Sequence, residues 1–174
     1  DEIYHSNLKI IYSEIIKYAS FAQENMTSIQ QQEVADIKKS AKLIVEVLKD
    51  TRDIQKNVNF YLKSKNDYIK QEYNLLRKEL ATILIDINLL DSNETQLEKL
   101  TQLEVIKSTL IANDLSNTGK IDALIREDKI KATMATSLIN DSATVYSIQK
   151  KLVEMASMLF LNNNLLKEIG DTQK

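Results

Sequence analysis

The chain of 174 residues carries 23 Lys and Arg against 25 Asp and Glu, a formal net charge of −2, with no Cys, no Pro, two Gly and one His. That length suits one domain burying roughly 70% of the surface its unfolded form exposes, and the balanced charge, gathered in neither half, excludes the basic footprint of a nucleic-acid binder. Without Cys there are no disulfides, thiolate metal sites or cysteine nucleophiles, and the scarcity of helix breakers among abundant Ala, Leu, Ile, Lys, Glu and Gln predicts an all-α fold.

Apolar residues at Tyr4, Leu8, Ile11, Ile15, Tyr18 and Ala22 alternate in steps of three and four and mark one face of a first helix ending near Met26. Ser28 with Gln31 reads as a capping box. Val34, Ile37, Ala41, Ile44 and Leu48 then form the seam of a long second helix, continued through Thr51 and Gln55 to Val58 and Leu62. After a polar break at Ser64 to Asn66, the third helix has the cleanest face, from Ile69, Tyr73 and Leu76 through Leu80, Ile83 and Ile87 to Leu90; Asp91 to Glu94 ends it.

A fourth helical stretch carries Leu97, Leu100, Leu103, Ile106 and Leu110, turns polar from Asn113 to Lys120, and regains an apolar face at Ile121, Leu124 and Ile125, with Gly119 marking a bend or local break. The last helix is expected from about Lys131 to about Asn164, with Met134, Leu138, Val145, Ile148, Leu152, Met155 and Leu159 on one side and its seam interrupted at Asp141 and Ser142. Four of these segments reach roughly 35 to 50 Å at 1.5 Å per residue, and short connections make neighbours antiparallel. The architecture read from the sequence is an elongated up-and-down antiparallel bundle of four or five long helices, forming a single domain over residues 1–174.

No apolar stretch approaches the 18 or more residues of a membrane span; the longest candidate, Met155 to Leu161, is short and contains Ser157. The segment is therefore not expected to insert into a membrane. It begins at Asp1 with neither a Met nor a signal-peptide pattern, and helical periodicity starts almost at once, which reads as a piece of a longer polypeptide.

Two polar constellations stand out. Glu46, Asp50 and Asp53 project from one face of the second helix and are the candidate ligands for a hard metal ion. The same stripe lies about 200° around the helix from the Ile44 and Leu48 seam and is interleaved with Lys42, Lys49 and Lys56 at ion-pair spacing, so a solvated, salt-bridged face is the competing and preferred reading. The second set is Thr51 and Gln55 in one seam and Asp141 and Ser142 in another, polar groups where packing wants hydrocarbon. A buried Asp141 requires a donor such as Arg, Lys, Tyr or an amide. A polar layer that fixes helix register competes here with a binding or switching role.

His5 has no second His beside it, and no Gly-rich phosphate loop, nucleophile elbow, His-Glu-x-x-His motif or EF-hand loop occurs. No enzymatic chemistry has residues to stand on. The seven Tyr offer core and rim packing rather than a stacking platform for single-stranded nucleic acid.

Three segments carry a resemblance to a known family: Lys49-Asp50-Thr51-Arg52-Asp53-Ile54-Gln55-Lys56-Asn57 followed by Tyr61, then Glu72-Tyr73-Asn74 with Arg77, and most specifically the run from Ala123 through Arg126-Glu127-Asp128-Lys129 to Leu138-Ile139-Asn140-Asp141-Ser142. Together they resemble the PhoU-like helical domain of bacterial sodium/phosphate cotransporters. The resemblance implies a bundle on the cytoplasmic face of the bacterial inner membrane, belonging to an integral membrane protein, with the transporter's membrane domain in the same chain as its partner. It implies a role in modulating or assembling the transporter; no cofactor is expected, a divalent or ferric metal being the less favoured alternative. PhoU proteins carry paired acidic motifs in repeated bundles, whereas this chain has only Glu46-x-x-x-Asp50 and one bundle. The family's motifs carry over Asp50, Gln55 and Asn57 on the second helix and Asn140, Asp141 and Ser142 on the last.

Two other readings stay open: an extracytoplasmic four-helix sensor domain of a chemoreceptor or histidine kinase, and a free-standing PhoU-type phosphate regulator. Homo-oligomerisation is compatible with each.

Overall fold

The computed structural model describes residues 7–23, 26–92 and 95–161, with the backbone alone at 115–118. Five helices follow one another: α1 Lys9–Ala22, α2 Ser28–Tyr61, α3 Asp67–Ser92, α4 Gln96–Arg126 and α5 Ala132–Phe160. The all-α bundle expected from composition is the fold. Tyr4, His5 and the expected extension of the last helix to Asn164 lie outside the described residues.

The helix ends are set by local chemistry. Thr27, in extended conformation, caps α2: its Oγ1 accepts from the Gln30 amide, and the Thr27 amide donates to Gln30 Oε1 at 3.0 Å. This is a capping box one residue earlier than the Ser28 and Gln31 pair, because both pairs satisfy the pattern and the extended backbone falls at Thr27. Thr95 and Glu98 repeat the device at α4. Asn66 accepts from the Ile69 amide at 3.1 Å to start α3, while its Nδ2 donates to the Lys129 carbonyl at 2.8 Å and ties that turn to the one between α4 and α5.

That second turn is a left-handed terminator. Asp128 has φ of 53°, the Lys129 amide donates to the Leu124 carbonyl and the Asp128 amide to the Ile125 carbonyl, the bonding pattern of a Schellman end. Upstream of it α4 runs unbroken through the polar stretch and Gly119. Surrounding helix formers and packing at both ends outweigh the roughly 1 kcal/mol that a helical glycine costs.

Helices α2 to α5 alternate in direction. α5 packs most extensively on α2, then on α4 and α3, whereas α1 leans chiefly on α2. Pairs from Lys39 with Glu154 to Asn57 with Asp141 show α2 and α5 running antiparallel; Asn66 against the Lys129 carbonyl and Tyr73 against Asp141 show α3 and α5 running parallel. Ile69, Tyr73, Leu90, Leu103 and Ala156 are fully buried, and each large apolar side chain removed from water contributes about 1.5–3 kcal/mol. By contrast α1 buries only Ala19 among its described residues, leaving Tyr18 78% and Phe21 71% exposed, so its seam is shallower than its periodicity suggests.

The α2 seam is also displaced. Ser40, Leu43, Ile54 and Tyr61 are its buried residues, with Val47 and Asp50 half-buried between them, while Ile37, Ile44 and Leu48 sit exposed on the shoulder. The inward line thus runs one residue, about 100°, away from the one drawn through Ile44 and Leu48. The shift carries Asp50 towards the interior and Thr51 and Gln55 away from it.

Candidate functional site

Three helices converge on Asp141. It is buried on α5, at 6% exposure, in a stretch where Leu138 and Val145 are also buried. The Tyr73 hydroxyl of α3 donates to its Oδ2 at 2.6 Å, and the Asn57 amide of α2 donates to its Oδ1 at 3.3 Å. Both donors belong to the types a buried aspartate demands, and each carboxylate oxygen has one. Beside them the Tyr61 hydroxyl donates to Ser137 Oγ at 3.1 Å, and the Tyr61 and Tyr73 rings stack with centroids 4.7 Å apart. The result is a polar layer crossing the bundle, with stacked aromatic rings beside its hydrogen bonds.

The Tyr73 hydroxyl is held well above its ordinary pKa, first by burial and then by its hydrogen bond to Asp141. It therefore remains a donor across the whole neutral range, and the layer keeps one hydrogen-bonding pattern. The chemistry the layer displays is hydrogen bonding and positioning across three helices.

Other expected site residues fall elsewhere. Thr51 and Gln55 are exposed, Thr51 bonding back to the Val47 carbonyl at 2.8 Å, so neither belongs to a polar interior. Asn140 is exposed, and Ser142 is half-buried beside the layer without joining its hydrogen bonds. Of the interior set, Asn57 and Asp141 come together.

Two residues of the acidic stripe form a second polar cluster farther along the α2–α5 contact. The Lys151 ammonium lies 2.6 Å from Asp50 Oδ2 and 3.5 Å from Glu46 Oε2, with the three side chains between 23% and 35% exposed. Lys42 approaches Glu46 from outside at 3.7 Å. The hydrogen bond to Asp50 is the main reason that Lys151 holds its proton more tightly than an ordinary lysine. Asp53 instead pairs with Arg52 at 3.2 Å on the exposed surface. Glu46, Asp50 and Asp53 thus do not gather on one ion, and no group of three or more His, Cys, Asp or Glu among the described residues is arranged to hold a metal. The salt-bridged reading of the stripe holds in a modified form, as an ion cluster half-buried between helices rather than a solvated face.

Sequence reasoning missed Tyr73, Tyr61, Ser137 and Lys151 as site residues. Tyr73 and Tyr61 stand in the resembling segments, but their hydroxyls were not legible as layer donors, because nothing in a single helix shows that a hydroxyl faces a polar partner on another. The signal available for Tyr73 was its place in the cleanest apolar seam, where a buried hydroxyl needs a partner.

The class defined by these features is an all-α antiparallel bundle organised around a buried polar layer. No described helix is long and apolar enough to cross a membrane. No protein-family model matches the chain, and neither a curated protein nor a solved structure matches it.

Proposed function

We propose that the chain is the helical accessory domain of a sodium-dependent phosphate transporter, held on the cytoplasmic face of the bacterial inner membrane and acting through protein contacts rather than catalysis. One observation carries the reading. The three segments that resemble the PhoU-like domain are far apart in sequence, yet each contributes to the same layer: Asn57 and Tyr61 from the first, Tyr73 from the second, Ser137 and Asp141 from the third. Segments that served solvation or charge alone would have no reason to converge in this way. The turn within the third segment is also tied to α3 through Asn66. On this reading the layer fixes the relative registers of α2, α3 and α5, the property a domain needs if it is to transmit a displacement from one face to another.

Phosphate uptake and protease access in membrane vesicles test the proposal. Deleting the domain from the full-length protein should change the rate of sodium-driven phosphate uptake or its regulation, with cleavage of the intact domain confined to inverted vesicles. Unaltered uptake at equal expression counts against the transporter reading. Cleavage only in right-side-out vesicles favours an extracytoplasmic sensor, and recovery in the soluble fraction a free-standing regulator.

A further inference from the structure

α3 and α4 pack less closely on each other than either does on α5, and a cleft of about 360 Å³ opens between them. This lies near the lower end of the volume range of small-molecule sites, about 300–1,000 Å³. Its floor contains Gln149 of α5, which is 7% exposed. Among the described residues the Gln149 side chain has no hydrogen-bond partner, and its carboxamide, reached by solvent at the floor of the cleft, presents both a donor and an acceptor there.

The charged rim separates into groups already committed and groups that are not. Lys120 is held by Glu72 at 2.6 Å and Glu79 is also engaged, whereas among the described residues Lys78 and Asp86 make no side-chain hydrogen bond or ion pair. Lys78 and Asp86 stand on the same helix about 12 Å apart at 1.5 Å per residue. Because α3 and α5 run parallel from the Tyr73 and Asp141 contact, Gln149 comes level with the stretch between them. A cation, an uncommitted amide and an anion therefore succeed one another along the cleft, with Ile83 and Leu110 supplying apolar wall.

We infer that this cleft binds a short zwitterionic peptide, a dipeptide in the first instance. Its carboxylate meets Lys78, its central amide pairs with Gln149 and its ammonium meets Asp86. The two ends of an extended dipeptide lie about 6–7 Å apart, at roughly 3.3–3.6 Å per residue. The flexible lysine stem spans the remaining distance. A free amino acid carries both charges on one carbon and does not reach both partners. The inference is independent of the transporter reading, so a failed peptide titration leaves the uptake experiment untouched, and the reverse.

Isothermal titration of the 174-residue chain with alanyl-leucine is the test. Saturable binding at millimolar peptide or below is expected, weakened about tenfold or more by acetylating the peptide amine or amidating its carboxylate. Lys78→Met should abolish discrimination between the free-carboxylate and amidated peptides, and Asp86→Asn discrimination between the free-amine and acetylated ones. Both positions are outside the core. Gln149→Leu should weaken binding similarly while a cooperative melting transition is retained, which separates loss of the amide contact from loss of the fold. No saturable heat, equal binding of the blocked peptides, or affinity indifferent to all three substitutions would overturn the inference.

Discussion

Asp141 depends on two neutral donors that differ in reach. Tyr73 provides the shorter bond, at 2.6 Å from a wholly buried position, and Asn57 the longer one, at 3.3 Å. Tyr73→Phe keeps the ring and removes that bond, leaving a buried carboxylate oxygen unserved, so stability should fall by about 1–3 kcal/mol in urea denaturation. Asp141→Asn should also lower the melting temperature, because an amide cannot accept at both oxygen positions; an unchanged value would show that the layer does not organise the core. The alkaline limb of stability has a defined sign. Lys151 and Tyr73 both have folded pKa values raised above their ordinary 10.5 and 10.0. Their contributions are therefore whole below the unfolded values and are lost as pH rises through the raised folded ones. Above pH 10.0 the melting temperature of Tyr73→Phe should decline less steeply than that of the native chain; parallel curves would remove tyrosine ionisation from the account. At this scale the sequence was only partly legible. Asp141 announced itself as an acid between apolar neighbours, whereas Asn57 entered through resemblance and the hydroxyl of Tyr73 was hidden within an apolar face.

The helices were legible for a different reason, namely that periodicity and caps are local. The α3 face from Ile69 to Leu90 is buried almost as drawn, with Leu80 alone half-exposed. The α2 face was drawn one residue off because Ile37, Ile44 and Leu48 are apolar shoulders, and an apolar arc wider than one seam does not reveal its own centre. Nor does polarity itself mark a break: α4 continues through Asn113 to Lys120. A Cβ added at Gly119 would meet nothing within 4 Å, and Gly119 has no positive φ. Gly119→Ala should accordingly stabilise the chain by about 0.5–1 kcal/mol, read as a raised melting temperature. A fall would mean that the residue serves a bend in some other state.

Taken whole, the molecule is unevenly held. α1 leans chiefly on α2 and buries one described residue, whereas α3 places Ile69, Tyr73 and Leu90 wholly out of water. Native-state hydrogen exchange should show α1 amides opening locally, orders of magnitude faster than those around Tyr73; equal protection would make α1 an integral part of the core. The fold class was legible because composition constrains every segment at once, while the partners of α5 were not, since no helical pattern names the helix it meets. That central position has a temporal side. Asp141 follows Tyr73 by 68 residues and Asn57 by 84, and a ribosome adding roughly 5–20 residues per second takes about 3–14 s over the shorter interval. Throughout it Tyr73 and Asn57 await the carboxylate that joins them, and the apolar faces of α2 and α3 lack the surface that covers them. Folding of this bundle is thus a late event, decided as α5 emerges, and a chain stopped before Ala132 would be an aggregation-prone nascent polypeptide rather than a smaller version of the domain.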